Sequence, residues 1–121
     1  MKFRVARHTH KLSPIIKFYT EILGLEILGS FEKHDDYDGV FLGHTKSNWH
    51  LEFTVSNEKP DHRSDEDDLL VFYSSSQKEY EDILQRFKEH GHEAKLAKNP
   101  YWNSNGSYFL DPDGFGIIIT K

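Results

Sequence analysis

The apolar positions change period along this chain, and each change marks an element. Phe3-Arg4-Val5-Ala6-Arg7-His8 alternates with period two and predicts a strand. Ile15, Phe18 or Tyr19, Ile22 and Leu23 then recur at helical spacing. Ser13-Pro14 marks the start of that helix, with Ser as N-cap and Pro at the first helical position. Gly24 supplies a left-handed end. Three strands follow, at about 25–31, 40–43 and 49–55, with Asp35-Asp36-Tyr37-Asp38-Gly39 as the turn between the first two.

The second half repeats this order. Leu69-Leu70-Val71-Phe72-Tyr73 is a continuous apolar run and predicts a central strand. Ser76 with Glu79 three residues later forms a capping box, and Tyr80, Ile83, Leu84 and Phe87 hold the i, i+3, i+4, i+7 stripe of an amphipathic helix. Gly91 ends that helix as Gly24 ended the first. A short strand is expected around 94–96. A closing hairpin then turns through Asp111-Pro112-Asp113-Gly114 between Tyr108-Phe109-Leu110 and Ile117-Ile118-Ile119-Thr120. A weaker copy of the hairpin lies earlier, where Leu51-Glu52-Phe53-Thr54 corresponds to Ile117-Ile118-Ile119-Thr120. One β-α-β-β-β module is written twice, which places the chain in the α+β class.

Length and charge narrow the picture. The 121 residues suit one domain, with a first module over about 1–56, an acidic linker over about 57–67 and a second module over about 68–121. The acidic run Asp61 to Asp68 reads as a solvated linker, because its carboxylates lack the alternating spacing and the Gly of an EF-hand. A net charge of −5 argues against a general nucleic-acid binder. No apolar run approaches the roughly 18 residues of a membrane span, and no apolar segment follows Met1-Lys2-Phe3-Arg4 as a leader would require. With zero cysteines, disulfides and thiolate metal sites are excluded, and the expectation is a cytoplasmic protein.

Two stretches carry a resemblance to a known family. Lys17-Phe18-Tyr19-Thr20-Glu21-Ile22-Leu23-Gly24-Leu25 and Leu110-Asp111-Pro112-Asp113-Gly114-Phe115 resemble the glyoxalase, bleomycin-resistance and extradiol-dioxygenase superfamily, the vicinal oxygen chelate proteins. The resemblance implies two βαβββ modules whose curled mixed sheets surround a cleft, within a homodimer. It also implies up to four metal ligands, one from the first and one from the last strand of each module. Carried onto this chain, those positions are Arg4, Glu52, a residue near Asp68, and Ile118. A guanidinium has only donors and an isoleucine has no lone pair, so two of the four positions have lost their metal chemistry.

The residues argue the same way without the family. Strand alternation puts Arg4, Ala6 and His8 on one face, and His50, Glu52 and Thr54 on one face. An inward Glu52 needs a partner, and Arg4 is the candidate for a guanidinium–carboxylate pair. A competing reading uses His8, His10 and His50 with a carboxylate to hold zinc, iron or nickel. The remaining histidines, among them His44 and His92, are expected in solvent. Trp49, Phe53, Phe87, Phe109 and Phe115 suit a core, whereas Tyr37, Tyr101 and Trp102 sit in polar turn-rich stretches, where aromatics line ligand clefts or dimer contacts.

The leading expectation is therefore a small-molecule binder with no cofactor and a degraded metal site. Its cleft would be lined by Arg4, His8, His50, Glu52, Asp68, Trp102 and Ile118. The alternatives are a metal-dependent glyoxalase-like lyase, isomerase or dioxygenase, and a metal-free enzyme with Glu52 as catalytic general base. Expected partners are a small-molecule ligand and a second copy of the chain, with neither nucleic acid nor membrane.

Overall fold

A computed structural model describes all residues, 1–121, and divides them into two compact units, Met1–His62 and Arg63–Lys121. In the first unit β1 (Phe3–His8) is followed by α1 (Leu12–Lys17), a π-helical turn over Phe18–Ile22, and then β2 (Glu26–His34), β3 (Tyr37–Gly43) and β4 (Trp49–Val55). The strands form one sheet in the order β1-β4-β3-β2, with β1 parallel to β4 and the other pairs antiparallel. The alternation in β4 decides what each face does. Leu51 and Phe53 are buried with Val40, Leu42, Ile15 and Tyr19, and the Tyr19 and Phe53 rings lie 5.1 Å apart. His50, Glu52 and Thr54 point to the opposite, open face, across from Gly43, Phe41 and Gly39 of β3.

The first helix begins differently from its sequence signal. Its N-cap is Lys11, which makes no side-chain cap, so Ser13 is already inside the helix and Pro14 is its third residue, two positions deeper than expected. Proline is tolerated there because the first-turn N–H groups have no intrahelical acceptor in any case. Gly24 at φ 77° and Gly91 at φ 80° end the two helical stretches as the repeat predicts.

The second unit contains β5 (Leu69–Tyr73), α2 (Gln77–Glu89), α3 (Pro100–Asn105), β6 (Ser107–Leu110) and β7 (Gly116–Thr120). Its sheet runs β5-β7-β6, with β5 parallel to β7 and β6 antiparallel to β7. The Ser76 hydroxyl accepts the Glu79 N–H at 3.1 Å, as the capping box requires. Asp111 closes the hairpin by accepting from the Asp113 and Phe115 amides through Oδ1 at 2.9 and 3.0 Å. The helix-side face buries Ile117 and Ile119, and the Phe87 and Phe109 rings stack 3.7 Å apart.

The strand expected around 94–96 is a correction. Only a single bridge, Lys95 to Tyr108, forms there, and the following residues turn into α3. Asn99 caps α3 by accepting the Tyr101 N–H at 3.1 Å, and Pro100 takes the first helical turn. The second unit is thus β-α-α-β-β rather than a copy of the first. No helix is long and apolar enough to cross a membrane.

Candidate functional site

The register of β1 on β4 assembles the most chemically distinctive cluster in the first unit. Arg4 lies opposite His50, Ala6 opposite Glu52 and His8 opposite Thr54. From this position the Arg4 side chain reaches three groups. Nε–H donates to His50 Nε2 at 2.9 Å, Nη1 donates to Glu52 Oε1 at 3.3 Å, and the guanidinium carbon sits 4.8 Å from the centre of the Phe41 ring. The expected Arg4–Glu52 contact is therefore present, although it is half open: the Arg4 side chain is 49% exposed and that of Glu52 14%.

His50 is buried, and because its Nε2 accepts from Arg4, the neutral ring carries its proton on Nδ1. Burial lowers its pKa below the usual imidazole value, the Arg4 and Lys2 charges lower it further, and Glu52 opposes them. A neutral His50 suits an arginine neighbour, since an imidazolium there would face a second cation and lose its acceptor.

His8 is committed elsewhere. Its Nε2 lies 2.8 Å from the Glu58 carbonyl oxygen, which can only accept, so Nε2 is protonated; Nδ1 lies 2.8 Å from the Thr54 hydroxyl. Both ring nitrogens are used within the first unit, and the Tyr37 ring packs edge-on at 5.7 Å. His10 is exposed and its carbonyl accepts from Lys59. His44 is exposed, as expected, with its Nδ1 3.3 Å from Glu26, whereas His92 is half-buried and packs against the Phe87 ring at 5.9 Å.

The equivalent positions of the second unit are apolar. Glu52 corresponds to Ile118, and the register that sets Val71 opposite Ile118 makes Leu69, two residues earlier, the counterpart of Arg4. Asp68 precedes β5, where its carboxylate accepts from the Asp65 amide at 3.3 Å. Ile118 is fully buried with Tyr108 and Ala97, and Leu69, Val71, Leu110 and Trp102 pack on that cluster. Trp102 is carried there by α3, so this sheet's second face is covered by its own chain.

The superfamily implies a divalent metal, and the donor set does not fit one. Of the two positions implied for ligands in the first unit, one holds Arg4, a hydrogen-bond donor only, and the carboxylate at the other, Glu52, is bonded to that guanidinium. In the second unit the counterparts are Leu69 and Ile118. Within neither unit do three His, Asp or Glu side chains gather as ligands for a cation.

A hollow in each unit bears on the site. One of about 370 Å³ in the first unit takes in Arg4, His50 and Phe41 and extends to Lys2 and Trp49. The other, about 560 Å³ in the second unit, is lined by Tyr73, Tyr101 and Trp102 beside the polar residues of α3. None of the Arg4, His50 and Glu52 side chains lines the second of these, and the chemistry favours the first. Sequence reasoning missed Phe41 and Lys2. Phe41 was legible, since it alternates with Val40 and Leu42 and so shares a face with Glu52 once the strands pair; Lys2 carried no signal.

Comparison with known proteins agrees with this architecture. Residues 3–54 match the YycE-like N-terminal domain and residues 67–121 the YycE-like C-terminal domain. The uncharacterized protein YycE of Bacillus subtilis (strain 168) is 39% identical over 124 residues, covering 99% of this chain and 87% of the relative. The crystal structure of Bacillus subtilis YycE, a protein of unknown function, superposes with a TM-score of 0.86 at 38% identity, covering 98% of this chain and 88% of that one. The trypanothione-dependent glyoxalase I of Leishmania major shares the fold, with a TM-score of 0.74 at 24% identity over 98% of this chain and 84% of the enzyme.

Proposed function

The chain belongs to the YycE-like family of the vicinal oxygen chelate superfamily, and we propose that it binds a small molecule on the open face of its first sheet without a metal ion. One observation carries this reading. The Arg4 guanidinium occupies the place that the superfamily resemblance gives to a metal ligand, and it bonds Glu52 directly. A metal would supply Glu52 with a counter-charge and the ligand with a positive anchor. Arg4 supplies both from the chain itself, held in orientation by His50 and Phe41.

A second reading rests on Glu52, whose bond to Arg4 uses only Oε1. A carboxylate held in place with an oxygen to spare is equipped to take a proton from a bound substrate. This makes Glu52 the general base of a metal-free enzyme.

A thermal-shift screen of small metabolites and drug-like compounds, run in excess EDTA, tests both readings. A ligand at about 100 times its Kd adds roughly 2.7 kcal/mol to stability by mass action, which is easily read as a shift in melting. The expected result is a compound whose shift is the same in EDTA and in added zinc, nickel or manganese, and which NMR recovers unchanged after hours with the protein. Conversion of the compound, abolished by Glu52→Gln, supports the second reading. A shift that appears only with a divalent metal overturns both.

A further inference from the structure

We propose that the hollow beside Arg4 is a subsite for the carboxylate of an amphipathic organic monoanion, an inference that rests on the binding reading above and names the class of ligand. The hollow lies where the start of β1, the turn after β3 and the start of β4 meet, and its volume of about 370 Å³ is that of a small-ligand pocket. Lys2 and Arg4 bring positive charge to it, and no Asp or Glu lines it. Leu28, Phe41 and Trp49 give it an apolar wall.

The hydrogen-bond arithmetic of Arg4 sets the polarity. A guanidinium has five N–H donors, and Arg4 commits Nε–H to His50 and one Nη1–H to Glu52. Three donors remain on a side chain that is half exposed. They form an edge that a carboxylate can take without breaking either existing bond. His50 adds no charge, because it is the acceptor of Arg4 and is held neutral by burial and by that same cation.

Charge also sets the valence. Of the two positive charges on the lining, Glu52 offsets one, which leaves a single one, shared between Arg4 and Lys2, for the incoming group, and Glu26, bonded to the lining His44 at 3.3 Å, opposes any second negative charge. A monoanionic carboxylate matches that excess, and a phosphate dianion exceeds it. The apolar wall then asks for a hydrocarbon or aromatic body behind the carboxylate. Phe41 presents one face to the guanidinium at 4.8 Å, so a flat ligand would continue that stack rather than replace it.

The test is an NMR titration of the full ¹⁵N-labelled chain with three probes: 4-phenylbutyrate, its neutral amide 4-phenylbutanamide, and phenyl phosphate. The expected result is saturable shifts with 4-phenylbutyrate at the amides of His44, Thr45, Ser47 and Trp49. The amide should bind at least tenfold more weakly, and phenyl phosphate more weakly than the carboxylate. Lys2→Gln should weaken the carboxylate roughly threefold and leave the amide unaffected, the size expected for losing one exposed charge. Equal affinity for acid and amide, or shifts confined to other residues, would overturn the subsite. The two proposals fail separately. Metal-free binding of a neutral compound around Glu52, with no response to 4-phenylbutyrate, removes the subsite and keeps the binding reading. A 4-phenylbutyrate response at His44 and Trp49 in a protein that also holds one metal per chain keeps the subsite and removes the reading.

Discussion

At the scale of single residues the account turns on how open the Arg4–Glu52 pair is. Truncating one partner of a fully buried pair costs about 3–5 kcal/mol, whereas an exposed pair is worth about 0–1. With the Arg4 side chain 49% exposed, the ion pair falls near the lower class, but Arg4 also bonds His50 and covers Phe41. Arg4→Ala is therefore expected to cost about 1–2 kcal/mol, from one net hydrogen bond and one cation–π contact. Arg4→Met/Glu52→Leu should cost less than Arg4→Ala alone; a larger loss in the double variant would mean that the pair stabilises the fold outright. His50 gives a second prediction, whose sign follows from its lowered pKa. Below the unfolded imidazole value of 6.5 the unfolded chain takes up a proton that native His50 refuses, so stability falls as the pH drops from 6.5 towards the native pKa. Melts between pH 7.5 and 5 should show wild type losing more stability than His50→Gln, and parallel curves would contradict this. Sequence alone carried much of this cluster, because period two fixes which face Arg4, His50 and Glu52 share. It did not carry the Arg4–His50 bond or the Phe41 contact, which depend on the register of three strands at once.

Among the elements, β1, β4 and β5 have the ends that alternation and apolar runs predict, since each strand sits where its face pattern is unbroken. The failures come where two signals compete. Ser13-Pro14 resembles a helix start, yet the chain is already helical at Leu12, because proline's missing N–H costs nothing in a first turn. The segment after Gly91 reads as a strand only by analogy with the first half, while Asn99-Pro100 is a cap and first-turn pair that announces α3. Gly106, the residue that ends α3, lies close against β7, where an added Cβ would be 2.9 Å from Ile118 Cγ2 and 3.0 Å from the Ile119 carbonyl oxygen. Its φ of −165° is extended and suits any residue, so the demand for glycine is steric alone. Gly106→Ala should destabilise by about 1–3 kcal/mol, as overpacking does, and a melt like that of wild type would show that α3 does not press on the sheet.

For the whole molecule, exposed apolar side chains on the first unit call for a partner. Phe3 is 61% exposed and Ile27 56% exposed, on strands at the two edges of one sheet, and an edge strand with apolar side chains is a surface for association. A homodimer is the expected state. Light scattering during gel filtration should report twice the 14.2 kDa chain mass at micromolar concentration, and a clean monomer would contradict it.

The central claim is that Arg4 does the work of a metal, so its most direct test is metal content. The protein should be expressed in cells supplied with nickel, zinc, iron and manganese, purified without chelator, and measured by inductively coupled plasma mass spectrometry beside Glu52→Ala. The account predicts well under 0.1 metal per chain in both proteins, because of the four positions implied for ligands only Glu52 has a donor atom, and it is already bonded to Arg4, while Leu69 and Ile118 have none. About one metal per chain in wild type, lost in Glu52→Ala, would contradict it.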